Sequence, residues 1–189
     1  MGSVNTIILL GKPASGKGTQ GKLLAERRGW KHIASGDYLR SLATREDHIG
    51  ERVRAELATG ALLPSWIVNA YFASSALELA PAEGIVFDGF GRDQLQAQEV
   101  HQVLAWQKRP YLAVCVEVHD NLAAERMRSR LSQEERTDSD SEEKIKLRLQ
   151  LYAENALAVV RFFDSKGAFR WVDGDGSPDE VYEKLVTHL

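Results

Sequence analysis

The sequence predicts an α/β fold built on a five-stranded parallel sheet with helices on both faces. Three observations carry that expectation. Short apolar runs rich in β-branched residues read as strands, longer helix-like segments separate them, and the first run leads straight into a glycine-rich turn and a helix. Such alternation makes neighbouring strands parallel, and ligands then collect beyond the carboxyl ends of the strands.

The first strand is expected over Thr6–Leu10, followed by a helix over Lys17–Arg28 and a weaker strand over Lys31–Ala34. Strand Ile85–Phe87 precedes a helix over Gln94–Gln107. Strand Leu112–Val118 precedes a helix over Leu122–Leu131, capped near Asp120 or Asn121. A helix over Glu142–Phe163 and a strand over Phe169–Val172 complete the alternation. Two intervals interrupt it: Ser35–Pro64, helical and charged, and Leu131–Ser141, polar and without apolar periodicity. Both read as lobes over a site, and no repeat or Pro-rich linker is evident.

At 189 residues the chain can bury one substantial core and spare only modest insertions. Its net charge of -3 offers no general attraction to nucleic acid. The single cysteine, Cys115, excludes an intrachain disulfide and a cysteine-based zinc site and fits a reducing, cytoplasmic setting. No stretch approaches the roughly 20 apolar residues of a membrane span, and Thr6–Leu10 is too short for a secretion signal. Met1-Gly2-Ser3-Val4-Asn5-Thr6 matches the loose myristoylation pattern, but the first strand begins almost at once.

The turn after the first strand reads Gly11-Lys12-Pro13-Ala14-Ser15-Gly16-Lys17-Gly18-Thr19. Glycines let the backbone curl so that successive N–H groups face an anion; Lys17 adds a mobile positive charge and the following helix its dipole. The loop is therefore expected to hold the phosphates of a nucleoside triphosphate. Its hydroxyl arrives at Thr19, one place later than in the general phosphate loop.

That spelling, residues 11–20, resembles the signature of adenylate kinases and related nucleoside monophosphate kinases. Three further motifs follow in the family's order: Ser35-Gly36-Asp37-Tyr38-Leu39-Arg40, Gly60-Ala61-Leu62-Leu63-Pro64, and Asp88-Gly89-Phe90-Gly91-Arg92 with Gln96. The resemblance implies a P-loop NTPase three-layer fold with a core of 1–33, 65–128 and 142–189, a helical NMP-binding lobe of 34–64 and a short lid of 129–141. It implies that Ala14, Ser15, Gly16, Lys17, Gly18 and Thr19 bind ATP, together with Arg126, Arg130 and Gly176. It also implies that Arg40 and Arg92 hold the phosphate of AMP, beside Ser35, Gly89, Phe90 and Gly91, while Gln96 and the backbone of Ala61, Leu62 and Leu63 hold its base and sugar. Ser35 keeps the hydroxyl that in the family accompanies AMP preference.

Read singly, Arg40 fits a solvated helix charge equally well and Gln96 a surface polar residue. Asp88, immediately after a strand, suits either a magnesium site shared with Thr19 or a turn before Gly89. Gly91 stands where the family has a proline in a cis turn. A cis bond before a non-proline residue costs about 2.5 to 4 kcal/mol, so a different turn is expected there.

Arg126 and Arg130 share a helix face, which calls for an anion: Glu134 and Glu135 in a surface network, or a nucleotide phosphate. By resemblance Arg130, Arg136 and Arg148 gather round the moving phosphoryl group, the latter two also contacting AMP, and Asp138 or Asp140 supplies the lid carboxylate. The short, cysteine-free lid implies no structural zinc. The expected chemistry is Mg2+-dependent exchange among ATP, AMP and ADP by a monomer with no nucleic-acid or membrane partner. The alternatives are a UMP/CMP kinase and a non-catalytic nucleotide-binding relative.

Overall fold

The computed structural model describes residues 4–131 and 141–189, excepting the side chains of Arg130 and Leu131. Strands β1 (Thr6–Leu10), β2 (Lys31–Ala34), β3 (Ile85–Asp88), β4 (Leu112–Glu117) and β5 (Phe169–Asp173) form one parallel sheet in the order β2-β3-β1-β4-β5. β1 lies at the centre, with Ile8 opposite both Phe87 and Ala113. All five of its residues are buried, as expected of a strand covered on both faces.

Successive side chains of β1 serve different cores. Ile8 and Leu10 join Phe72, Phe87, Phe90, Leu104 and Phe163 on one side of the sheet. Ile7 and Leu9 join Leu24, Val114, Val181 and Leu185 on the other. The first layer is built by α4 (Ser65–Leu77), α5 (Gln94–Trp106) and α7 (Glu142–Ser165), the second by α1 (Lys17–Arg28) and α8 (Pro178–Val186). This is the α/β sandwich expected from the alternation.

Local chemistry sets the helix ends. Gly29, at φ 64°, stops α1 in the left-handed conformation that glycine adopts without strain. Asp93 accepts from the Gln96 amide at the start of α5, and Ser177 and Glu180 form a reciprocal capping box on α8. α8 is absent from the expected elements, although Val181, Tyr182 and Leu185 fall on one helical face. α6 (Asp120–Leu131) starts two residues earlier than expected and α7 runs two residues further. Between β2 and α4 lie α2 (Ser35–Ala43) and α3 (His48–Leu57), and Tyr38 of α2 stacks on Tyr71 of α4 with ring centroids 3.8 Å apart.

Arg109 clamps the opposite end of the sheet from the glycine-rich loop. It is 7% exposed, donates from Nε to Thr6 Oγ1 at 2.6 Å, and donates from its two terminal nitrogens to the carbonyls of Ala80 and Glu83. Among the described residues no helix is long and apolar enough to cross a membrane, and there is no cis peptide bond.

Candidate active site

β1 delivers the chain at Gly11, where a Cβ would lie 2.4 Å from the Val116 carbonyl oxygen, so that glycine alone lets the loop leave the sheet against β4. The loop then turns on itself, with the Ser15 N–H donating to the Lys12 carbonyl at 3.1 Å. Ala14 sits at φ 61°, a left-handed conformation that costs a non-glycine residue about 1 to 2 kcal/mol and is characteristic of functional turns. Gly16 leads into α1 with no side-chain cap, which leaves the helix's first amides and its positive dipole end to an anion. Lys17 donates from Nζ to the Lys12 carbonyl at 3.2 Å.

Ala14, Gly16, Lys17, Gly18 and Thr19 line a cleft of about 560 Å³. Its other walls include Arg40, Ala61, Leu62, Leu63, Asp88, Arg92, Gln96 and Arg148. Residues from four separate motifs and from α7 thus face one space. Ser15 lies beneath the loop rather than on the cleft wall, 1% exposed. Gly89, Phe90 and Gly91 line an adjoining apolar cavity of about 80 Å³ with Cys115, Tyr152 and Val159, and Lys17, Arg92 and Arg148 border both spaces.

Arg92 is held from behind. Its Nε donates to the Gly89 carbonyl at 2.8 Å and its Nη2 to Ser35 Oγ at 3.2 Å, while the Ser35 hydroxyl donates to the same carbonyl at 2.8 Å. A Cβ on Gly89 would approach Arg92 Nη2 to 2.6 Å, so the fold-back of the guanidinium requires glycine. Ser35 is 1% exposed and does not line the cleft. Its hydroxyl donates to the Gly89 carbonyl and accepts from Arg92, so Ser35 supports the guanidinium from below. Gln96, 2% exposed, accepts from the Arg92 amide at 3.1 Å and donates to Asp93 Oδ2 at 3.1 Å, which corrects the alternative of a surface polar residue. Gly91 takes φ 72° in a trans chain, the different turn expected in place of a cis proline.

Asp88 closes the floor below α1. Its Oδ1 is buried with no protein partner among the described residues, and Oδ2 lies 3.1 Å from where a Cβ on Gly18 would stand. His32 Nε2 is 3.9 Å from Asp88 Oδ2; burial lowers the His32 pKa despite the carboxylate, so the imidazole is neutral near pH 7. Cys115 in the apolar cavity is pushed up to about 11 by burial, which leaves an unreactive thiol. Arg40 pairs with Asp37 at the cleft edge.

Arg126 stands outside the cleft lining and donates from Nη1 to the Ser15 carbonyl at 3.4 Å, bracing the loop from α6. Gly176, at φ 135° ahead of α8, is not among the cleft residues. The Arg130 side chain, Arg136, Glu134, Glu135, Asp138 and Asp140 lie outside the described residues, as does the start of the myristoylation pattern.

Residues 9–168 match the family model for adenylate kinase. The chain belongs to the adenylate kinase family. An adenylate kinase of Thermus thermophilus is 36% identical over 187 residues, covering 97% of this chain and 96% of that protein. That of Maricaulis maris is 36% identical over 184 residues, covering 97% of each. That of Stenotrophomonas maltophilia is 33% identical over 184 residues, covering 97% of this chain and 98% of that protein. This member of the adenylate kinase family is accordingly a nucleoside monophosphate kinase, a phosphotransferase.

The adenylate kinase family motifs leave two groups of site residues unread. Ser65 and Asp93 form a half-buried polar brace under Gln96, with Ser65 Oγ 2.5 Å from Asp93 Oδ2. Asp93 is legible as the residue before a helix, but its second oxygen's partners are not. Lys12 is the other omission: it sits within the loop, 6% exposed, with Nζ 2.6 Å from Asp120 and 3.1 Å from Glu117. Burial works against its charge, yet hydrogen bonds to Asp120 and Glu117 outweigh it and hold the pKa above the ordinary lysine value.

Proposed function

We propose that this protein transfers the terminal phosphoryl group of ATP reversibly to AMP, giving two ADP. The observation that carries the reading is that one cleft is bordered by both the phosphate loop and the arginines Arg40, Arg92 and Arg148. In this reading the amides of Ala14 to Thr19 and the Lys17 ammonium hold the donor's phosphates, Arg126 braces the loop, and Arg40 and Arg92 hold the acceptor phosphate. An acceptor phosphate oxygen attacks the γ phosphorus in line; the bond from that phosphorus to the β-phosphate oxygen breaks, and ADP leaves on each side. Positioning and charge neutralisation supply the rate, so planar guanidiniums that contact two oxygens at once suit Arg92, Arg130, Arg136 and Arg148.

The residues present fit magnesium carried by the nucleotide. Asp88 offers a buried, unpartnered oxygen and Thr19 lines the cleft, while the described residues contain no cluster of three metal ligands. The ion would supply neutralisation of phosphate charge, with Asp88 and Thr19 orienting its water shell. Gln96 and the backbone of Ala61 to Leu63 meet the acceptor nucleoside, Gly89 to Gly91 shape its phosphate end, and Gly176 contacts the donor base. Residues 34–64 act as the acceptor lobe and 129–141 as the lid, in a cytoplasmic monomer without structural zinc.

The test is consumption of ATP with AMP, CMP, UMP or GMP as acceptor in magnesium, separating the diphosphate products. Rapid ADP formation confined to AMP is expected. Turnover with a pyrimidine monophosphate instead would reassign the acceptor, and tight binding without turnover would leave a nucleotide-binding relative.

A further inference from the structure

Among the described residues Lys12 is the one lysine in the buried core, yet its side chain lines neither the cleft nor the apolar cavity. A cation in a phosphate loop would ordinarily face the phosphates. This one is instead spent on Glu117, at the end of β4, and Asp120, in the first turn of α6. Its peptide carbonyl accepts from the Ser15 amide at 3.1 Å and from Lys17 Nζ at 3.2 Å. The same residue therefore fixes the loop from below and offers an acceptor to Lys17 above. Arg126, less than two turns further along α6, makes a second link through the Ser15 carbonyl. Loop and helix are joined at two points, one at each end of the turn.

We infer that Lys12 is a positioning residue for the phosphoryl donor: anchored on Glu117 and Asp120, it locks the loop to the base of α6 and holds in place a carbonyl that Lys17 bonds. Donor affinity then depends on an ion pair that does not touch nucleotide. Removing the lysine also takes one positive charge from the base of the loop, a smaller effect because Glu117 and Asp120 are open to solvent. The inference rests on the proposed assignment of this loop to ATP.

The experiment compares wild type with Lys12→Met, Asp120→Asn and the double variant, measuring KM for ATP and for AMP and, by titration calorimetry, the Kd of each nucleotide. Lys12→Met is expected to raise the ATP constants by about three- to tenfold while AMP constants stay within about twofold. Asp120→Asn should move them in the same direction by less, since Glu117 remains, and the double variant should be no worse than Lys12→Met alone. Unchanged ATP constants, equal weakening of ATP and AMP, or multiplicative effects in the double variant would overturn the inference. Should Lys12→Met fail to fold in a thermal melt, the Glu117→Gln/Asp120→Asn pair, on the exposed side of the bridge, must reproduce the selective loss of ATP affinity. If wild type binds ATP without turnover, the proposed reaction fails while calorimetry still decides the role of Lys12.

Discussion

Arg92 gathers its support from three directions: the Gly89 carbonyl, the Ser35 hydroxyl and, through its own amide, Gln96. A lysine there keeps the charge but has neither the fork to contact two phosphate oxygens nor the Nε that meets Gly89. Arg92→Lys is expected to lower kcat by about 10³ or more with the melting temperature unchanged; steady-state rates beside a thermal melt would check it. Gly91 makes the converse point. Its φ of 72° is closed to proline, whose ring holds φ near -65°, so Gly91→Pro should destabilise the fold by more than about 1 kcal/mol, measured by denaturant unfolding. Restoring the family residue at this single position would harm this chain, because the surrounding turn has been rebuilt around a glycine.

At the scale of elements, the strands and the loop are legible because their signals are local: an apolar run has a period, and a glycine-rich turn between strand and helix has a spelling. The Lys12 bridge is not, since it joins residues that are neighbours only after β4 has paired with β1. Ser35 illustrates a subtler limit. Its motif marks the hydroxyl for attention, but the partners of that hydroxyl, Gly89 and Arg92, come from the end of another strand. Short α8 goes unread although its signals are local: Val181, Tyr182 and Leu185 share one helical face and its cap is spelled in sequence. Helix α3 shows a cap acting through charge. Asp47 pairs with Arg45 and accepts from the Gly50 and Ile49 amides, and these, the Arg45 hydrogen bond foremost, hold its pKa at about 2, below the ordinary 3.8. A carboxylate depressed in the folded state stabilises it above the unfolded value and loses that contribution as pH falls through the folded one. Asp47→Asn should therefore flatten the decline of melting temperature between about pH 4 and 2, read by circular dichroism across that range.

For the whole molecule, the sheet is secured at two ends by different means. Its carboxyl end opens into the cleft, where amides and carboxylate oxygens are left for ligands; its amino end is closed by Arg109, with hydrogen bonds to Thr6, Ala80 and Glu83. Removing this buried guanidinium takes a donor from all three acceptors, of which the Ala80 carbonyl keeps the Glu83 amide. Arg109→Ala is expected to cost about 1 to 3 kcal/mol of stability, with KM values unchanged at temperatures where the variant stays folded. Thermal unfolding and steady-state kinetics on one preparation would separate the two effects.

The central position of β1 has a consequence for synthesis. This strand leaves the ribosome ahead of the partners it needs on both sides: Ile7 pairs with Val86 and also with Leu112. Its apolar side chains must wait for β4 to emerge, which at about 5 to 20 residues per second means several seconds of exposure. Nascent chains that end before Leu112 carry the complete phosphate loop on a three-stranded sheet, β2-β3-β1, whose β1 edge stays open, so the flank of the loop at Gly11 is unsupported until β4 emerges.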